Sequence, residues 1–370
     1  MIQNIQRPTL IVDAGKVRHN ISEMVQKATR NGVKLSPHFK THQSIEIGQW
    51  FLKEGVDSAT VSSVSMARYF IENGWKDVTV VFPLTILEIE EVCRLGEKAR
   101  FTILVDSLDT ILAISGKVSY PIQVLLEIDA GYHRTGIDAR DFPQIRDILD
   151  AISDNENLFF TGFYCHTGDT YRAKTKGEIK DLHDRTVSAL QSLRIEFSAQ
   201  YPNLILSLGD TPGCSLSENF EGIDIMRPGN FVFFDLMQVA LGVCAYDQIA
   251  VVMACPVVFK NAERLEITVY GGGVHFSKDS IADNGRNHFG KLVAFTESGW
   301  SDPIPGCYLK SISQEHGVLR VDNEIFDQLK IGDVVGILPV HSCMTADLMG
   351  EYTTLTGEKV DHMSGPKFRD

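Results

Sequence analysis

Lys40 sits in the run Pro37-His38-Phe39-Lys40-Thr41-His42, directly behind an apolar stretch, Val33–Pro37, that reads as a strand. A solvated lysine stays a cation. One held beside other cations and apolar walls loses its proton more readily and can form a Schiff base with a carbonyl compound. Other apolar runs end in the same way, in Asp129-Ala130-Gly131-Tyr132-His133-Arg134-Thr135-Gly136, in Tyr164-Cys165-His166-Thr167-Gly168-Asp169 and in Gly209-Asp210-Thr211-Pro212-Gly213. Arg227-Pro228-Gly229-Asn230 follows the short eighth run, Ile223–Met226. Gly209 and Gly229 would let backbone N–H groups face an anion, although glycine turns are common and the signal alone is weak. His341 and Cys343 lie two residues apart behind the apolar run Val334–Pro339. If that segment stays extended, both side chains face one side, and imidazole nitrogen with thiolate suits zinc. A zinc site wants about four ligands and only two are local. On spacing alone, a structural histidine and a buried cysteine are the better reading.

Strands alternate with helices over the first two thirds of the chain. The strands are predicted at Val33–Pro37, Ser58–Ser62, Val78–Phe82, Phe101–Val105, Gln123–Ile128, Phe159–Tyr164, Leu204–Leu208 and Ile223–Met226. Helical patterns separate them, except for a looser stretch after Leu208. Eight strand–helix units over this length predict a closed parallel (β/α)8 TIM-like barrel, whose chemistry gathers at the carboxyl ends of its strands. An open doubly wound sheet is the competing reading. Gly32, Gly55, Gly74 and Gly96 read as left-handed helix caps. After about Asp247 the pattern changes to short strands separated by Gly, Asp and Pro, which predicts a mostly antiparallel β domain. Thr9–Asp13 is also strand-like and is expected to join it. The expected division is residues 15–245 for the barrel and residues 1–14 with 246–370 for the β domain.

Composition removes several function classes. There are 35 Lys and Arg against 48 Asp and Glu, a net charge of −13, which argues against a general nucleic-acid or anionic-membrane binder. No apolar run approaches the length of a membrane-spanning helix, and the first residues do not read as a signal peptide. Seven scattered cysteines without a CxxC pair argue against a disulfide scaffold and for a cytoplasmic protein.

Taken together, these motifs resemble the fold-type III pyridoxal-phosphate (PLP) enzymes, in the branch containing D-threonine aldolase and eukaryotic-type D-serine dehydratase. The resemblance covers essentially the whole chain. It rests on Thr9-Leu10-Ile11-Val12-Asp13 with Asn20, on the Pro37–His42 run, and on Asp129-Ala130-Gly131 with Arg134-Thr135-Gly136. Arg227 to Asp235, Gln314-Glu315-His316-Gly317 and Pro339-Val340-His341-Ser342-Cys343 complete it. It implies an alanine-racemase-like barrel with a β domain, normally a homodimer, acting on a small D-amino acid.

The resemblance also implies roles. Lys40 would carry the PLP, with Arg134 near its phenolic oxygen. Gly209 and Thr211, with Gly229 and Asn230, would hold its phosphate. His166 and Tyr171 would line the ring pocket, and Arg227 matches the arginine that faces the pyridine nitrogen in the racemases. His341 and Cys343 become the implied metal pair. The dehydratases carry cysteine at the second place and use zinc, whereas the aldolases carry aspartate and favour harder ions such as manganese. The leading expectation is therefore zinc-assisted β-elimination from a D-3-hydroxy amino acid, with Lys40, His341 and Cys343 catalytic. Retro-aldol cleavage to glycine and an aldehyde, and racemisation, are the alternatives. Two departures from the family pattern are Asp169, in Gly168-Asp169-Thr170-Tyr171, and Asp210, in Gly209-Asp210-Thr211-Pro212. An ionised Asp210 would repel a phosphate, so its side chain is expected to point away, or Thr211 to carry the contact.

Overall fold

Strands buried on both faces read as near-continuous apolar runs, and the fully buried Ile103, Leu104 and Val105, and Val124, Leu125 and Leu126, fit that description. A computed structural model describes residues 5–283 and 285–364. The expected domain limits also reach residues 1–4 and 365–370, which lie outside the described residues. The chain forms two units, one of Ser22–Lys40 with Gly48–Gly229, the other of Met1–Ile21, Thr41–Ile47 and Asn230–Asp370.

The first unit is a TIM-like α/β barrel. Its strands, in ring order, are Lys34–Leu35, Ala59–Val61, Asp77–Pro83, Arg100–Val105, Ile122–Asp129, Leu158–Cys165, Ile205–Leu208 and Ile225–Met226. All neighbours are parallel. The last strand pairs with the first through Ile225 and Lys34, and a single bridge from His38 to Thr60 joins the first to the second. Val81, Leu104, Leu125 and Tyr164 form a buried cluster among these strands. Side-chain caps start the helices between them. Ser63 accepts the Met66 N–H at 3.1 Å, and Ser107 that of Thr110 at 3.3 Å. Gly32, Gly55 and Gly74 have the positive φ expected of caps. Gly96 does not. It is the last residue of the helix Ile89–Gly96, and a Cβ there would come within 2.3 Å of Ile122 Cδ1, so any side chain would have to displace that buried methyl. The stretch expected to be loose after Leu208 contains a short helix, Thr211–Leu216.

The second unit is built on a mostly antiparallel sheet. Val251–Asn261, Glu266–Tyr270, His316–Arg320, Tyr308–Ile312, Gly290–Val293 and Val334–Pro339 pair in that order and return to Val251–Asn261, closing a small barrel. Thr9–Val12 pairs antiparallel with residues 251–254 and parallel with Tyr352–Thr354. The hairpin Ile281–Asp283 with Arg286–His288, and the strands Tyr352–Thr354 and Lys359–Val360, were not anticipated. All seven cysteines are free thiols. No helix among the described residues is long and apolar enough to cross a membrane.

Candidate active site

Lys40 stands on a turn anchored from both sides. After the strand Lys34–Leu35, the His38 N–H donates to the Pro228 carbonyl at 2.8 Å, which places the Pro228-Gly229 turn beside the Lys40 segment. The buried Phe39 ring packs against Phe51, Phe70 and Trp75, with centroids 5.3, 4.9 and 4.8 Å away. Phe39–Thr41 is one turn of 3-10 helix, and the Lys40 side chain leaves it exposed. The Lys40 N–H donates to His38 Nδ1 at 3.3 Å, so a neutral His38 carries its proton on Nε2.

Around Lys40 the charge is cationic and the histidines are neutral. Burial, then Lys40, His166, Arg227 and Arg134, hold the His38 pKa well below the ordinary value. Burial, then Arg134 and Lys40, push His166 down to about 3. The neutral His166 donates from Nδ1 to the Gly209 carbonyl at 2.5 Å. Its ring meets Tyr132 edge-on at 5.8 Å, and the Arg134 guanidinium lies 5.4 Å from the Tyr132 centroid. Arg227 is buried, donating from Nη1 to Ser36 Oγ at 3.1 Å and Thr60 Oγ1 at 2.7 Å. Its Nε has no hydrogen-bond partner, and burial lowers its pKa to about 10. Lys40, Arg134, His166 and Arg227 therefore share one electrostatic neighbourhood suited to an anionic ligand.

The glycine turn adds a place for such an anion. A Cβ at Gly209 would lie 2.7 Å from the Arg227 carbonyl oxygen, so no other residue fits that approach. Thr211 Oγ1 is buried without a hydrogen-bond partner, and the Thr211 N–H donates to Tyr171 Oη at 3.2 Å. The Asp210 carboxylate turns into the cap of the Thr211–Leu216 helix, accepting the Gly213 N–H and the Thr170 hydroxyl, the latter at 2.9 Å. Asp169 pairs with Arg185.

Burial pushes the Asp210 pKa up to about 7, against the hydrogen bonds from Gly213 and Thr170. A carboxyl whose folded-state pKa is raised holds its proton in the fold over a range where the unfolded chain has lost it. The contribution of Asp210 to stability is therefore greatest below about pH 4 and declines as pH rises to about 7. Asp210→Asn keeps a good cap and removes the titration. The variant is expected to flatten this decline, and to exceed the wild type by a few kcal/mol at pH 8. Denaturant unfolding of both proteins at about pH 5 and pH 8 checks it.

In the second unit Asn230, His341 and Cys343 come together, but not as an extended pair. His341 is the N-cap of the helix Ser342–Met349, and Cys343 lies in its first turn. The buried Asp235 carboxylate accepts the Ser342 N–H at 2.9 Å, satisfying a helix-start donor. The Asn230 amide nitrogen reaches Asp235 Oδ2 at 2.7 Å, Ser342 Oγ at 3.0 Å and Cys343 Sγ at 3.4 Å. Thr41 Oγ1 is 3.2 Å from the same sulfur. His341 Nδ1 lies 3.1 Å from Asp279 Oδ2, so Nε2 is the ring nitrogen that remains for any other partner. Burial opposes charge on both members of the pair. Asp279 and Cys343 nonetheless raise the His341 pKa, and His341, Thr41 and Asn230 lower that of Cys343. Among the described residues, no group of three or more His, Cys, Asp or Glu is placed to hold a metal ion. Sequence reasoning missed Asp279, Asp235, Thr41 and the ring of Tyr132.

Residues 12–236 match the family "Alanine racemase, N-terminal domain". The chain belongs to that family. Residues 250–355 match a second model, "Putative serine dehydratase domain". The chain is similar to D-serine dehydratase of Dictyostelium discoideum, 28% identical over 96% of this chain and 95% of that protein. It is also similar to D-threo-3-hydroxyaspartate dehydratase of Delftia sp. (strain HT23), 27% identical over 96% and 95%. A solved structure of D-threo-3-hydroxyaspartate dehydratase from Delftia sp. HT23 superposes with a TM-score of 0.91 at 24% identity, covering 98% of this chain and 99% of that one, which supports the fold. This member of the alanine racemase N-terminal domain family is a PLP-dependent lyase of fold type III. Its strand-end residues fit PLP. The cationic neighbourhood suits a phosphate ester, and the unpartnered Thr211 hydroxyl and the close backbone approach at Gly209 suit its phosphate group.

Proposed function

We propose that the chain removes water from a D-3-hydroxy amino acid by β-elimination, giving a 2-oxo acid and ammonia. The observation that carries this reading is the His341–Cys343 pair, with Asp279 on the remaining imidazole nitrogen. An oriented imidazole and a thiolate make a soft donor pair suited to zinc. The two full-length relatives named as dehydratases support the same chemistry.

Bound PLP supplies the electron sink that allows a bond at the substrate Cα to break. In this proposal Lys40 anchors the cofactor through its amine, and once displaced by the substrate amine it takes the Cα proton. Arg134 and Arg227 supply fixed positive charge, and His166, held neutral, donates to Gly209 and stays oriented. Gly209, Thr211, Gly229 and Asn230 are assigned to the phosphate, and Tyr171, through its contact with the Thr211 N–H, to the ring side of the pocket. His341 and Cys343 would hold a divalent ion, which would supply Lewis-acid stabilisation to the leaving hydroxyl. The Cα–H and Cβ–O bonds break, water departs, and hydrolysis of the resulting enamine's imine form returns one water and frees ammonia.

Product analysis with D-serine, D-threonine and D-threo-3-hydroxyaspartate tests this directly. Keto acid and ammonia in equal amounts are expected, with zinc raising the rate. Glycine and an aldehyde as the main products would replace elimination with retro-aldol cleavage.

A further inference from the structure

A cavity of about 490 Å³ opens in the β unit, away from His341 and Cys343 in sequence and lined by none of the residues assigned above. Tyr246, Asp283, Arg286, His288, Lys291 and Tyr308 line it, together with the loop 303–307. The surrounding backbone is well tied. Lys291 faces Tyr308 across an antiparallel pair. The loop is pinned by Ile304 N–H to Leu292 O at 2.9 Å and by Cys307 N–H to Ile304 O at 3.1 Å. Two cations meet one carboxylate here, within a chain whose net charge is −13. Lys291 Nζ donates to Asp283 Oδ2 at 2.9 Å and to Tyr246 Oη at 3.1 Å. Arg286 stands opposite Asp283 in the hairpin, with its side chain exposed.

His288 supplies the second observation. It is only 3% exposed, and its ring nitrogens meet no hydrogen-bonding group beyond the nearby Gly290 backbone. Burial, followed by the charge of Lys291, keeps it neutral. A neutral imidazole offers one donor and one acceptor, the Gly290 backbone can meet only one of them, and leaving the other buried and unpaired is costly. The cavity volume is in the range of small-molecule sites, with the mix of apolar wall and few polar groups usual for them.

We propose that this cavity is a binding site for an organic anion with a planar body. The charged group meets Arg286 and Lys291, a polar edge meets His288, and the ring lies against Tyr246, Tyr308 and the prolines at 303 and 305. The site is independent of the lyase reading, since it uses none of the groups assigned to catalysis. A phosphate ester and a carboxylate both carry the required chemistry, and the test separates them.

Calorimetric titration of the holoenzyme uses AMP as the phosphate probe and indole-3-acetate as the carboxylate probe, with adenosine and indole-3-ethanol as uncharged counterparts. At least one anion is expected to bind with a Kd below roughly 1 mM, and its uncharged counterpart about tenfold more weakly or worse. Arg286→Ala and His288→Ala are each expected to weaken the anion by about tenfold or more. Arg286 is exposed, so its variant keeps the fold, and its turnover on the amino-acid substrate is expected to match the wild type. Binding of AMP alone assigns the site to phosphate esters, and binding of indole-3-acetate alone to carboxylates. Absence of binding by both anions at several millimolar overturns the proposal. So does binding that Arg286→Ala and His288→Ala both leave unchanged, because the anion then lies elsewhere.

Discussion

Lys40→Ala is expected to abolish turnover, by about 10⁴-fold or more, because one amine serves both as the anchor of the cofactor and as the base at Cα. The fold should survive the change. The Lys40 side chain is exposed, and the packing of its turn rests on Phe39 against Phe51, Phe70 and Trp75. His38 should also regain some basicity, since Lys40 is one of the charges that hold its pKa down. The measurement is borohydride reduction of the PLP-loaded enzyme followed by peptide mapping, beside steady-state rates and circular dichroism of the variant. In the wild type the reduced adduct should map to the peptide containing Lys40, and the variant should yield none. An adduct on a different lysine, or turnover within about tenfold of the wild type in Lys40→Ala, would remove Lys40 from its assigned role.

The second large effect is expected at Cys343. Cys343→Ala removes the softer of two donors and leaves Thr41 and Asn230 without the sulfur they contact. Zinc affinity should fall by more than about 100-fold, the upper end of what losing an outer-shell partner costs. Elimination should fall with it, while the covalent PLP adduct at Lys40 is retained. Asp279→Ala leaves both donors in place but frees the His341 ring, and the loss of zinc affinity should be smaller, about 10–100-fold. Cys343→Asp replaces thiolate with carboxylate and should shift preference toward manganese. Elemental analysis and keto-acid yields from the same preparations decide the matter. Undiminished elimination by metal-free Cys343→Ala protein would falsify the metal assignment.

Much of this architecture could be read from the chain because its signals are local. Each barrel strand is an apolar run ended by polar residues, and the Lys40, Arg134, His166 and Arg227 segments lie at such ends in the fold. The missed features depend on partners distant in sequence. Residues 341–343 read as extended because nothing nearby announces a helix, and the acceptor of the Ser342 N–H is Asp235, 107 residues earlier. Asp279 carries no motif and meets His341 across 62 residues. Gly96 has the look of a cap, but it lacks a positive φ and instead lies close against the methyl of Ile122 on a neighbouring strand. Asp210 looked hostile to an anion because its sequence neighbours do not reveal that its carboxylate folds back onto Gly213 and Thr170. The hairpin at 281–288 has arms of only three residues, too short for an alternating pattern to emerge.

The placement of Thr9–Val12 between residues 251–254 and Tyr352–Thr354 bears on how the protein is made. The strand's antiparallel partner is synthesised roughly 240 residues after it, a delay of about 12–48 s at ordinary elongation rates. Its parallel partner emerges later still. Throughout that interval Leu10, Ile11 and Val12, all fully buried in the finished sheet, have no sheet to enter. A nascent chain in this state presents an apolar segment with unsatisfied strand edges, whereas the barrel strands from Lys34 to Met226 can pair with one another as they emerge. Assembly of the β unit thus waits for segments far apart in the chain to meet, and slow translation between them would expose the Thr9–Val12 strand to chaperones or to aggregation.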